Sequence, residues 1–262
     1  MSLSRTYSGT EPVRLNKFMG QSGLSSRREA DALIAEGLVS LDGETVIDAG
    51  RKILPGQTLT LASAAQDKLA GAVTLLLHKP MGYVSGQPEP GKIPAARLLT
   101  ADAQLGDGPL PSSRDSLPPI GRLDEDSRGL LILSTDGVVA KAVIGPDADL
   151  PKTYQVWVRG TLTDSKIARL RFGLSLDGRN LKRAEVEQIG PLCLRFVLRE
   201  GRNRQIRRMC EMLDLRVMDL WRTHIGPITL DGLPEGRWRH LTPAERAALT
   251  GSGAAGTGQA GT

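Results

Sequence analysis

GRLDEDSRGLLILSTDG, residues 121–137, joins a polar turn carrying three acids to an apolar run of strand length and a helix-start signal. Asp124, Glu125 and Asp126 occupy the turn, with Arg122 and Arg128 on either side. Outward from this stretch the strand rhythm repeats at VTLLLHK (73–79), KTYQVWVR (152–159), LKRAEVEQI (181–189), LCLRFVLRE (192–200) and VMDLWRTHI (217–225). Helices fit 136–144, 164–171 and 202–213, the last because Ile206, Met209, Cys210 and Leu213 recur at steps of three and four. Many strands with few intervening helices predict an α+β fold with a mixed, mostly antiparallel sheet, not a doubly wound one.

Ahead of that sheet, residues 13–61 read as a smaller unit. Ser26 and Glu29 form an S-x-x-E capping box, Ala30, Leu33 and Ile34 make one helical face, and Gly37 supplies the stop. Asp42-Gly43 between alternating segments signals a hairpin. Residues 62–71 are small and Ala/Gly-rich and read as a linker, which leaves 72–249 as the larger domain. The ends, 1–12 and 250–262, carry little to bury and read as disordered tails. Residues 86–119 are rich in Pro and Gly and read as a long irregular insertion.

Composition narrows the function classes. With 262 residues and 40% hydrophobic residues the chain buries a real core. Cys193 and Cys210 have no CxxC spacing and no signal peptide opens the chain, which fits a reducing, cytoplasmic setting. The longest mostly apolar stretch, 69–77, is far short of the ~20 residues that span a bilayer, so no membrane partner is expected. Lys plus Arg number 34 against 29 acids, and eight Arg face four acids between Arg195 and Arg222. Such a run either attracts phosphate or forms a solvated surface of mixed charge.

Most chemical motifs fail. GQPEPGKI (86–93) nearly matches a phosphate-binding loop, but Ile93 cannot ligate magnesium and Pro88 and Pro90 lack the N–H groups that the cradle needs. Neither G-x-S-x-G nor G-x-G-x-x-G occurs, so no nucleotide cofactor is expected. His78, His224, His240 and the two Cys lack metal-ligand spacing, so no metal is expected. Taken alone, the three acids at 124–126 read first as turn formers or surface ion pairs and only then as catalytic groups or a magnesium site, since adjacent acids rarely point at one ion without other ligands. Tyr154 alternates with Val156 and Val158 on one strand face, as a core tyrosine would. Arg202 and Arg204 sit in a helical first turn, where the dipole disfavours cations, which points to an anionic partner, either phosphate or an internal carboxylate.

Taken in order, HKPMGYVS (78–85), GRLDEDSRGLLILSTDG, KTYQV (152–156) and EGRNRQIRRMCE (200–211) resemble the motifs of the RsuA-type family of ribosomal RNA pseudouridine synthases. Residues 14–61 are similar to the S4 RNA-binding domain that many members carry. RNRQIRRMC and the closing RWRHLT are most similar to the RluF branch, which acts on large-subunit 23S rRNA. His78 stands where the family usually has Asn, and the 86–119 insertion is longer than expected of a member.

The resemblance implies that Asp124 is the nucleophile, that Tyr154 packs against the target uracil, and that Arg207 pairs with Asp124. It implies ribosomal RNA as the partner of a monomeric enzyme. Phosphate contacts are expected from Arg14, Lys17, Arg27 and Arg28 in the small domain and from Lys79, Arg122, Arg202, Arg204 and Arg208 in the large one. Isomerising uridine exchanges no electrons overall, so no cofactor is implied. Two alternatives share these features: a non-catalytic RNA-binding or ribosome-assembly factor, and the same enzyme class acting on small-subunit rRNA or tRNA.

Overall fold

The computed structural model describes residues 3–86, 90–111 and 117–251. Its chain divides into two units, Met1–Thr74 with Ser134–Pro146 and Leu75–Leu133 with Asp147–Thr262.

In the first unit the capping box forms as its spacing predicts. Ser26 Oγ accepts the Glu29 N–H at 3.2 Å, and Glu29 Oε2 accepts the Ser26 N–H at 2.6 Å. The helix Arg27–Ala35 buries Ala30, Leu33 and Ile34 in a core shared with Leu15, Phe18 and Met19 of the helix Leu15–Gln21. Asp42 and Gly43 both have positive φ, at 49° and 88°, as a tight hairpin between Val39–Leu41 and Glu44–Val46 requires.

Three expected boundaries are corrected. Residues 1–12 are not a free tail in their described part, because Leu3–Thr6 pairs antiparallel with Thr58–Leu61 and Tyr7 meets Phe18 edge-on with ring centroids 5.2 Å apart. Residues 62–71 are not a linker: Ser63–Ala70 is a helix whose Ala65 is wholly buried in the first unit's core, since small side chains also allow close packing. The helix Gly137–Ile144, expected in the large domain, belongs to the first unit. Glu29 Oε1 accepts the Gly137 N–H at 3.1 Å, and Lys141 donates to the Gly20 carbonyl. A Cβ on Gly137 would lie 2.3 Å from Ser26 Cβ, so only glycine allows this approach. The C-terminal tail lies outside the described residues from 252 onward; Thr250 still ends the helix Pro243–Thr250, which Gly251 closes at φ 70°.

The second unit is built on a sheet of nine described strands. Its main path runs Glu185–Gly190, Cys193–Leu198, Lys152–Arg159, Arg216–Ile225, Arg128–Ser134, Thr74–Lys79 and Trp238–His240. The pairing of Arg128–Ser134 with Arg216–Ile225 is parallel, whereas Arg216–Ile225 with Lys152–Arg159 and Lys152–Arg159 with Cys193–Leu198 are antiparallel. Val156, Val158, Phe196 and Leu220 share one core with the helices Asp164–Arg171 and Gln205–Glu211.

Two elements differ from their sequence reading. The strand expected from 181 begins only at Glu185, because Leu181 and Ala184 donate their N–H groups to Leu174 and Arg171. The helix expected from 202 begins at Gln205, because Arg204 is left-handed at φ 49°. The described part of the insertion is packed: the Trp238 indole donates to the Thr100 carbonyl at 2.9 Å, and Ala95 is buried.

One acid ties the last helix to the sheet edge. The Glu245 carboxylate accepts Arg239 at 2.7 and 2.8 Å and caps Thr242, and Arg239 holds its pKa down at about 2 against the opposing effect of burial. A depressed carboxyl stabilises the fold above its ordinary 4.5 and loses that contribution as pH falls toward 2. Glu245→Gln is therefore expected to lower stability at neutral pH, and the gap from wild type should close as pH falls through that window. Urea unfolding at a series of pH values measures it.

Candidate active site

The loop that carries Asp124 is held from several directions by backbone groups and buried side chains. Ser85 Oγ donates to the Leu123 carbonyl at 2.7 Å and accepts the Leu123 N–H at 2.9 Å. The Gly82 N–H donates to the Glu125 carbonyl at 2.8 Å, and the Ser127 N–H to that of Asp124 at 3.1 Å. Arg222, only 3% exposed, donates to the carbonyls of Gly121 at 2.9 Å, Leu130 at 2.8 Å and Arg122 at 3.4 Å. A buried guanidinium that satisfies three carbonyls fixes the path of the chain that leads to the acid.

Arg222 reaches this loop because two parallel strands cross closely. Gly129 (φ 118°) pairs with Arg222, and a Cβ there would lie 2.2 Å from the Arg222 carbonyl oxygen. On the other side of the same strand Tyr154 lies opposite Arg222, beside a register shift between Thr153 and Tyr154. Such a bulge re-aims side chains where a sheet meets a site. Tyr154 is half-buried and packs against the core. Arg128, next to Gly129, grips Asp219 through two nitrogens at 2.7 and 3.1 Å and stacks on Trp221.

The three acids diverge. Glu125 pairs with Lys92. Asp126 takes Arg204 in a two-pronged bond at 2.8 and 3.1 Å; burial works against its ionisation, but Arg204 and Arg207 together hold its carboxyl below the usual range. Asp124 accepts Arg204 Nη1 at 3.3 Å.

That arrangement corrects the expected pairing of Arg207 with Asp124. Arg204, turned by its left-handed backbone just ahead of the helix, reaches the Asp124 carboxylate. Arg207 lies almost one turn further on and meets Asp126 and Ser127 instead, with the Asp126 carboxylate at 3.3 Å. It donates to the Asp126 carbonyl at 2.6 Å and to Ser127 Oγ at 3.2 Å. It still feels the charges of Asp126 and Asp124, which offset a burial that lowers its pKa.

Several expected phosphate contacts are likewise taken up internally. Lys79 is wholly buried, donates to the carbonyls of Pro80 and Tyr83 at 2.9 and 2.8 Å, and has its pKa brought down to about 8 by burial against the pull of Asp124 and Asp126. Arg202 donates to the carbonyls of Leu176, Arg179 and Asn180, closing a small hairpin. Arg208 forms a two-pronged pair with Asp177 at 2.6 and 3.0 Å. With Arg195 on Glu187 and Arg199 on Asp149, the basic run is largely paired within the protein. The anionic partner of Arg204 is thus an internal carboxylate. Arg122 stays exposed beside the loop.

The first unit differs. Arg14, Lys17, Arg27 and Arg28 are exposed and make no ion pair among the described residues. Arg51 and Lys52, which the sequence reading passed over, are exposed too, and Lys52 lies across from Arg14 in a two-stranded pairing. Also missed were Ser85 and Arg222, whose one signal was a polar residue within an otherwise strand-like segment.

The family model for RNA pseudouridylate synthase matches residues 73–212, and that for the S4 domain matches 13–59. The dual-specificity RNA pseudouridine synthase RluF of Escherichia coli O157:H7 is 34% identical over 89% of this chain and 77% of its own. The ribosomal small subunit pseudouridine synthase A of Pseudomonas aeruginosa is 32% identical over 89% and 98%, and the ribosomal large subunit pseudouridine synthase B of Bacillus subtilis 30% over 88% and 93%. A solved pseudouridylate synthase superposes with a TM-score of 0.61 at 25% identity, over 90% of this chain and 99% of that one. Matched by the synthase model over more than half of its length and by relatives of 30% identity or more over most of it, the chain belongs to the RNA pseudouridine synthase family, with an S4 domain ahead of its synthase domain.

Proposed function

We propose that the protein converts a uridine of ribosomal RNA, in the large subunit, to pseudouridine, with Asp124 as nucleophile. The observation that carries this reading is the Asp124 carboxylate: it stands on a loop clamped by Ser85 and Arg222 and is bonded by Arg204 at 3.3 Å. The large-subunit assignment draws on the RNRQIRRMC and RWRHLT segments and on the relative named for that subunit.

The reaction breaks the N1–C1′ bond, turns the uracil and joins C5 to C1′; a proton leaves C5 and one is gained at N1. A carboxylate serves on either route, by attacking C1′ as in retaining glycosidases or by adding to C6 of the base. Arg204 keeps Asp124 oriented through its bond at 3.3 Å. Tyr154 supplies a flat wall for the base and a hydroxyl that relays a proton, giving up its own toward N1 as it takes the one leaving C5. A stacked or paired uridine must first be flipped out, at a cost of a few kcal/mol. The S4 domain, residues 13–61, offsets part of that cost by holding nearby phosphates through Arg14, Lys17, Arg27 and Arg28. The setting is cytoplasmic; no described helix is long and apolar enough to cross a membrane.

Asp124→Asn is expected to abolish pseudouridine formation while RNA affinity stays near wild type. Mapping of modified uridines in ribosomes with and without the protein reads this. One site missing from 23S rRNA supports the proposal in full, one missing from 16S rRNA moves the target to the small subunit, and no difference removes the activity assignment.

Arg204→Ala is expected to lower kcat about 10- to 100-fold, the value of a charge-assisted hydrogen bond of ~1.5–3 kcal/mol, with stability little changed. Arg207→Ala, which removes the bonds to the Asp126 carbonyl and Ser127 Oγ and the ion pair with Asp126, should instead lower the melting temperature along with activity. Equal behaviour of the two variants in both measurements would return Arg207 to the role of Asp124's partner.

Removing two phosphate contacts reduces the salt slope of RNA binding by about 1.4–1.8. Arg27→Ala with Arg28→Ala should show that flattening and a higher KM, at unchanged kcat. Filter binding across a salt series tests it.

A further inference from the structure

The free positive charge of the second unit does not lie where the arginine run is densest. Between Thr161 and Ala184 the chain carries six cations, Lys166, Arg169, Arg171, Arg179, Lys182 and Arg183, against two acids, Asp164 and Asp177. Asp177 is already engaged by Arg208. Arg169, Arg179, Lys182 and Arg183 are exposed and make no ion pair among the described residues. This band is therefore more cationic in the folded protein than the 195–222 run, whose arginines are mostly neutralised by neighbours.

An aromatic ring stands in the middle of it. Phe172 closes the helix Asp164–Arg171 and is 58% exposed, while Phe18 and Phe196, the other two phenylalanines, are 8% and 0% exposed. The Arg183 guanidinium lies 5.0 Å from the Phe172 ring centroid. Both line a groove of about 620 Å³ floored by Ala184 and Val186, with Arg171 and Glu185 at its rim. Arg171 is anchored there by its bond to the Val186 carbonyl at 2.7 Å. An exposed ring, a stacked guanidinium and unpaired cations over an apolar floor are the parts from which proteins build a seat for an unpaired nucleobase: the π-face stacks and the cations take the phosphates. The Glu185 carboxylate adds an acceptor for N–H groups on the base edge.

We propose that this groove binds a single-stranded nucleotide of the RNA substrate, stacked on Phe172 with its phosphate on Arg183. The inference rests on the RNA-modifying reading above for its ligand class, and on the groove itself for its place.

The test uses full-length protein carrying Arg27→Ala and Arg28→Ala, so that the S4 cations do not dominate, titrated with a short fluorescein-labelled oligouridylate. Phe172→Ala and Arg183→Ala should each weaken binding about tenfold, and Phe172→Trp should keep it. A matched RNA duplex, whose bases are already stacked, should bind all of them alike. Oligouridylate carrying 5-iodouridine should crosslink to Phe172 on irradiation, mapped by mass spectrometry. Unchanged affinity in Phe172→Ala together with crosslinks only elsewhere would overturn the site, whatever the enzyme modifies. Conversely, loss of binding in Phe172→Ala in a protein that forms no pseudouridine would sustain the site and overturn the activity. Since Phe172 is exposed, Phe172→Ala should melt as wild type does; if it does not, the Phe172→Trp and Arg183→Ala measurements decide.

Discussion

A glycine and an arginine meet where two parallel strands run side by side, and the geometry of the second unit follows from that contact. At Gly129 the absence of a side chain lets the backbone of Arg222 approach to a distance no Cβ tolerates. Arg222 then turns its guanidinium back onto the carbonyls of 121, 122 and 130. A buried cation with no acid against it is expensive unless its donors are filled, and here main-chain oxygens fill them. The consequence is a rigid approach to Asp124, in which the strand that follows the acid and the turn that precedes it are tied to one side chain. Ser85 and Gly82 complete the clamp from the segment after the Thr74–Lys79 strand.

Charge in this protein is distributed by use. Around Asp124 the arginines work against internal carboxylates and carbonyls: Arg204 on two acids, Arg207 on the loop's backbone, Arg202 on a hairpin and Arg208 on Asp177. Each such pair spends a cation that composition alone counts as available to phosphate. Exposed cations that make no ion pair among the described residues include Arg14, Lys17, Arg27 and Arg28 of the S4 domain, Arg122 beside the loop, and four on the band that carries Phe172. The arginines that position the loop are thus different from those left exposed without an ion pair, although the sequence packs the most Arg into one run.

Much was legible beforehand for local reasons. The Ser26/Glu29 box, the Asp42-Gly43 hairpin and the strand Lys152–Arg159 each depend on residues within a few positions of one another, and all three form as their spacing requires. The acid-bearing turn was visible as an unusual cluster just before an apolar strand, and the order of four motifs placed it in a family. Small, weakly apolar segments misled the reading: 62–71 became a helix and 3–6 a strand, because a partner surface supplied the burial that their own sequence does not advertise.

By itself, then, the amino-acid order determined the caps, the turns, the alternation of the strands and the position of the acid-bearing turn, all of which are set by short-range stereochemistry or by which chemical group is present. Only the tertiary structure decided which arginine meets Asp124. Positions 204 and 207 are chemically identical, and the choice between them turned on one left-handed residue ahead of a helix and on where an eighty-residue-distant loop comes to rest. It also decided that Lys79 is a buried strut and Phe172 an exposed ring, because burial belongs to the packed chain and not to the residue.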